Sequence, residues 1–126
     1  MSTTLGTIII YARDMQKSAE FYRTHFGFET TGQVVEGLIE LSAVDGGASI
    51  LIHQAAKSVK LGQVGIKLSF HVEDIESFKT QAAAQGLAFG DTHQANGYAF
   101  ANTKDLDGNS VSISSRAFRI AGRPAA

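Results

Sequence analysis

The sequence has no cysteine, no excess of either charge and no long apolar run, and each lack removes a class of protein. Without cysteine there is no disulfide framework, no thiol nucleophile and no thiolate-bound metal. Lysine and arginine number 11 against 12 acidic residues, for a formal net charge of -1 and a pI near 6.4. That balance leaves no basic footprint, so neither nucleic acid nor an anionic membrane surface is expected as a partner. The start, MSTTLGTIII, lacks the charged head and extended apolar stretch of a signal peptide. Nothing approaches the ~20 apolar residues of a membrane span, and the expectation is a soluble cytoplasmic protein. What remains is ordinary: 126 residues, 44% hydrophobic, 18% charged and 13 glycines. Such a chain fits one domain, 1–126, with a real core.

Hydrophobic periodicity then predicts an order of elements. Thr7 to Tyr11 is a β-branched run that reads as a strand. Asp14 stands at a helix N-cap, where its carboxylate can accept from free amides of the first turn. Met15, Ala19, Tyr22 and Phe26 form one helical stripe, and Gly27 closes the helix. Strands are expected at Phe28 to Val34, Leu38 to Val44 and Ser49 to His53, the last two joined by a turn at Asp45-Gly46.

The same order recurs. Lys67 to Val72 reads as a strand, Asp74 as an N-cap, and Ile75, Phe78 and Ala82 as a helical stripe ending at Gly86. Strands follow near Leu87–Phe89, Tyr98–Ala101 and Ser110–Ser114. Asp14 maps onto Asp74 and Gly47 onto Gly108, which makes two βαβββ modules, 5–54 and 66–115. Residues 55–65 read as a linker, and 116–126 as a loose tail.

Side chains alternate along a strand, so parity separates two faces. Ile8 and Ile10, Ile50 and Ile52, Leu68, Phe70 and Val72, and Val111 and Ile113 share an apolar face for the helices. The opposite parity is mixed: Thr7, Ile9 and Tyr11; Ser49, Leu51 and His53; Lys67, Ser69 and His71; Ser110, Ser112 and Ser114. From composition alone that second face could equally be a solvated exterior.

The stretch Tyr11–Thr30, with its aspartate cap, Ser-x-x-Phe-Tyr helix and Gly-Phe exit, resembles the vicinal-oxygen-chelate superfamily of glyoxalases, ring-cleaving dioxygenases and bleomycin-resistance proteins. Asp105-Leu106-Asp107-Gly108-Asn109 is similar to that family's Asp-Pro-Asp-Gly-Asn turn, with leucine in place of proline. The resemblance implies an α+β fold whose two modules curl into a cup-shaped, eight-stranded half-barrel with helices outside. It also implies a homodimer, and it turns the polar parity toward a ligand cavity.

The resemblance further implies four metal-ligand positions, which fall here on Thr7, Leu51, Lys67 and Ser112. Leucine has no donor, an ammonium repels a cation, and hydroxyls are weak ligands. No metal cofactor is therefore expected at the usual positions. An alternative is a displaced divalent-metal site at His53, His71 and Glu40, since a two-residue turn at Asp45-Gly46 would set Glu40 opposite Leu51. The expected function is a small-molecule-binding protein whose pocket is lined by Tyr11, His53, Lys67, Ser69, His71 and Ser112, taking an aromatic or anionic ligand. Its rival is a metal-dependent lyase or dioxygenase, and a metal-free enzyme with His53 or His71 as general base stays open. Lys67 is expected to pair with an anion or reach the rim, with covalent catalysis a third reading. His25 and His93 read as surface residues on a helix flank and in a loop. One of Tyr98 and Phe100 is expected in the core.

Overall fold

The computed structural model describes residues 2–119. Strand β1 (Thr7–Ala12) leads into helix α1 (Met15–Phe26), followed by β2 (Leu38–Leu41) and β3 (Ser49–Gln54). Strand β4 (Lys67–His71) leads into α2 (Ile75–Ala84), then β5 (His93–Gln94), β6 (Ala99–Lys104) and β7 (Ser110–Ser114), with a 3₁₀ turn at Arg116–Phe118. The chain forms two compact units: residues up to Gln63 with Leu106–Gly108, and Val64–Asp105 with the chain from Asn109. The fold is α+β, with one mixed sheet in each unit.

In the first unit the strand order is β1-β3-β2, with β1 parallel and β2 antiparallel to β3. In the second the order is β4-β7-β6-β5, with β4 parallel and β6 antiparallel to β7. Thr7 pairs with Ser49 as Lys67 pairs with Ser110, so the sequence repeat reappears as a repeat of pairings.

Both helices start as the caps dictate. The Asp14 side chain accepts from Lys17 N and the Asp74 side chain from Ser77 N. Gly27, at φ 75°, closes α1 by donating to Arg23 O. Gly86, at φ 90°, follows the end of α2, and Leu87 N donates to Ala82 O. In the first unit the apolar parity is the buried one, with Ile10, Ile39, Leu41, Ile50 and Ile52. In the second Ala101, Val111 and Ile113 are buried, Leu68, Phe70 and Val72 are half-buried, and Ser112 and Ser114 of the opposite parity are buried as well. On α1 the buried side chains are Ser18, Ala19, Phe21 and Tyr22, so the packed stripe is rotated toward Phe21 and away from Met15 and Phe26.

The strand expected at Leu38 to Val44 stops at Leu41, that expected at Tyr98–Ala101 runs Ala99–Lys104, and three further elements differ. Phe28 to Val34 is not a strand. It contributes the single bridge Glu29–Ser42, so the described residues hold seven strands rather than eight. Leu87–Phe89 is also irregular, and the strand after α2 is His93–Gln94, which takes His93 out of a loop. The tail begins with an ordered 3₁₀ turn, where Phe118 N donates to Ser115 O; residues 120–126 lie outside the described chain.

Candidate functional site

The polar parity places the expected site residues on one face of each sheet. On the first, the ladder pairs Tyr11 with His53 and sets His53 opposite Leu38. The Tyr11 and His53 rings stand 4.9 Å apart, tilted by 46°. Glu40 pairs with Leu51, as the expected turn register requires, although the ladder stops at Leu41–Ile50. The His53 imidazole is exposed, with Nδ1 2.9 Å from Gln54 O.

An open groove of about 840 Å³ lies over this unit, lined by Leu38, Glu40 and Leu51 of the sheet and by the irregular segment around Thr30, Gln33 and Glu36. Its charge is mostly negative: Glu29, Glu36, Glu40 and Arg23 are its charged lining residues. Arg23 is already committed to Glu20, whose Oε2 accepts from its Nε at 3.0 Å. That hydrogen bond holds the Glu20 carboxyl below its ordinary range and the Arg23 guanidinium above its own. Of the residues singled out from the sequence, Glu40 and Leu51 line this groove and Tyr11 and His53 do not.

The second sheet gathers the rest. Its ladders set Lys67 beside Ser110 and Lys104, Ser69 beside Ser112 and Asn102, and His71 beside Ser114 and Phe100, with His93 beyond Phe100. Partners in register share a face, so among the described residues this face holds two ammonium groups, two imidazoles, hydroxyls and an amide, and no carboxylate. Lys67 Nζ donates to Asn102 Oδ1 at 3.0 Å, and Lys104 Nζ to Ser110 Oγ at 3.1 Å. Ser112 is 3% exposed and lies between Ser69 and Asn102. Lys67, Ser69 and His71 are exposed.

Asn102, Lys104 and His93 were not foreseen on this face, and the sequence did not fix the face of Phe100. Their parity depends on the loop before β7. A two-residue turn at Asp107-Gly108 would have set β6 one residue out of step and on its other face. The observed loop is odd, closed by Asp105 N donating to Asn109 O and Asn109 N donating to Asp105 Oδ1. The Phe100 ring lies 5.1 Å from His93 and 6.5 Å from Tyr98, tilted by 31° and 39°, and neither Tyr98 nor Phe100 joins the buried core.

His25 departs from the surface reading. Its ring packs edge-on against Phe21 at 4.9 Å, and Nδ1 is buried with no hydrogen-bond partner. Desolvation lowers its pKa below the ordinary 6.5. Among the described residues no three His, Asp or Glu side chains are grouped to share a metal ion. No described helix is long and apolar enough to cross a membrane.

Paired repeats of a parallel and an antiparallel strand around one helix each define a glyoxalase-type α+β fold. Residues 4–113 match the family model of the Glyoxalase/Bleomycin resistance protein/Dioxygenase superfamily, and the chain belongs to that superfamily. Similar solved structures include a lactoylglutathione lyase from Agrobacterium tumefaciens, with 23% identity and a TM-score of 0.69 over 90% of this chain and 93% of that one. TnmS3, an antibiotic-binding protein from Streptomyces sp. CB03234, has 16% identity and a TM-score of 0.72 over 90% and 94%. The uncharacterized protein YetH of Bacillus subtilis (strain 168) is 25% identical over 114 residues, 86% of this chain and 95% of its own.

Proposed function

We propose that this chain is a small-molecule-binding protein of the glyoxalase/bleomycin-resistance type, taking an aromatic or anionic ligand without the metal of its catalytic relatives. The observation that carries this reading is the polar face of the second sheet. There Lys67, Lys104, His71 and His93 meet no carboxylate, while Phe100 offers a flat ring. A ligand carboxylate or phenolate would receive charge-assisted hydrogen bonds there. The antibiotic-binding neighbour TnmS3 is consistent with sequestration as a mode of action.

The metal-free part rests on the donor set. Thr7, Leu51, Lys67 and Ser112 at the four expected ligand positions offer two hydroxyls, a hydrocarbon and an ammonium. The ammonium already donates to Asn102. That set does not suit a divalent ion. Untagged protein should carry less than stoichiometric zinc, nickel, manganese or iron by elemental analysis. Stoichiometric metal that is lost in His53→Ala or His71→Ala would establish the His53, His71 and Glu40 site, and with it the lyase or dioxygenase reading.

Calorimetric titration with benzoate and benzamide tests the ligand class. Lys67→Met should weaken benzoate by about 1 kcal/mol, less than the ~1.5–3 kcal/mol of a hydrogen bond to a charged group because Lys67 is exposed. Benzamide should lose much less. Equal losses would mean that Lys67 supports the face rather than reads charge, and the ligand class would be withdrawn. The homodimer is part of the same proposal. Exposed Leu5, Ile9, Val64 and Ile66 supply apolar surface for it, and sedimentation of the free protein measures it.

A further inference from the structure

Just beyond β7 two guanidinium groups converge on one ring. Arg116 Cζ lies 5.9 Å and Arg119 Cζ 6.0 Å from the centroid of Tyr98. The backbone fixes the arrangement, because Arg119 N and Nη1 both donate to Arg116 O, the side-chain bond being 2.7 Å long. Neither guanidinium has a carboxylate at ion-pair distance among the described residues. Both guanidiniums lie about 6 Å from one ring centroid and so within about 12 Å of each other, and attraction to the ring face offsets part of their like-charge repulsion. An oxyanion held at this ring would relieve that repulsion and receive the paired N–H groups that a planar guanidinium presents. Next to this pair the rings continue: Tyr98 to Phe100 at 6.5 Å, and Phe100 to His93 at 5.1 Å.

We propose that Arg116, Arg119 and Tyr98 form a second anion-binding pole, which takes aryl compounds carrying a phosphate or sulfate group. The oxyanion sits at the two guanidiniums, and the aryl ring lies along Phe100 and His93. Its guanidinium end is separate from the ammonium end of the same sheet, although both poles share the Phe100 and His93 rings. Phe100 pairs with Ser114 and Lys67 with Ser110, four residues away along β7, or about 13 Å at the rise of a strand. The proposal therefore stands or falls independently of Lys67.

Phenyl phosphate and phenol are the probes, titrated into wild type, the Arg116→Gln/Arg119→Gln double variant and Lys67→Met. The dissociation constant for phenyl phosphate should rise at least tenfold in the double variant and less than twofold in Lys67→Met, with phenol binding unchanged in both. In wild-type protein the Nε–H resonances of Arg116 and Arg119 should shift on titration, a readout that does not depend on any variant folding. Three results would each overturn the proposal: no shift of those resonances, equal losses for phenol and phenyl phosphate, or a loss confined to Lys67→Met. The last would leave the ammonium pole as the anion site.

Discussion

Two residues hold conformations or environments that their chemistry resists. Glu36 has φ 52° and Gly37 φ 81°, which makes the turn between Val35 and Leu38 one that requires positive φ at both central positions. Glycine adopts that region freely, whereas a glutamate crowds its Cβ against the following carbonyl. Asparagine tolerates it better, so Glu36→Asn should stabilise the protein by about 0.5–1 kcal/mol. The check is a higher urea midpoint at unchanged m-value. His25 is the second case. Burial lowers its pKa below 6.5, so the unfolded chain binds the proton more readily than the folded one. Stability from neutral His25 is complete above the unfolded pKa and is lost as pH falls toward the folded one. His25→Phe keeps a ring against Phe21 without titrating. Wild type should thus lose more stability than His25→Phe between pH 7.5 and pH 5.5, in paired denaturation curves.

At the scale of elements, caps and hydroxyls decide where regular structure starts and stops. Asp14 accepts from Lys17 N at 3.1 Å, satisfying one of the free amides of the first turn of α1. Asp14→Ala should cost about 1 kcal/mol in a denaturant titration, and Asp14→Ser only a fraction of that. The segment after α1 illustrates the opposite outcome. Phe28 to Val34 has the composition of a strand, yet the Thr30 and Thr31 hydroxyls accept from Gly32 N and Gln33 N, and Gly32 takes φ 74°. Those local bonds compete with a ladder. The segment becomes an irregular wall of the first unit's groove instead of a second strand.

At the scale of the whole molecule, the loop Leu106–Gly108 is counted with the first unit although the strands on either side of it belong to the second. The Asp107 carboxylate accepts from Arg13 N and from Ser18 Oγ, each at 3.1 Å. The Arg13 guanidinium in turn donates to Ala56 O and Val59 O, tying the segment after β3 to the start of α1. Gly62 sits against the loop so closely that a Cβ there would lie 2.8 Å from Asp107 O. One aspartate thus joins residues some ninety positions apart. Asp107→Ala leaves an amide and a hydroxyl without their partner and should cost about 1–3 kcal/mol. Thermal and urea unfolding measure it, and a loss under ~0.5 kcal/mol would mean that water replaces the carboxylate without penalty.

By itself the sequence determined what local periodicity and capping chemistry control. The helix starts at Asp14 and Asp74, the exit at Gly27, the buried parity of Ile50, Ile52, Val111 and Ile113, and the Glu40–Leu51 register all follow from neighbours close in the chain. The superfamily was legible in the same way, from the Tyr11–Thr30 stretch and the Asp105–Asn109 turn. The tertiary structure decided the rest. The face of Phe100, Asn102 and Lys104 depended on whether the loop from Asp105 to Asn109 held an odd or an even number of residues, and one residue reverses every side chain of β6. The acidic groove depended on a segment abandoning the strand that its composition favoured. The Arg116–Tyr98–Arg119 cluster joins side chains from two places in the chain that no spacing connects. Periodicity reports how a segment meets its own neighbours; which distant charges share a surface is settled only when the strands pair.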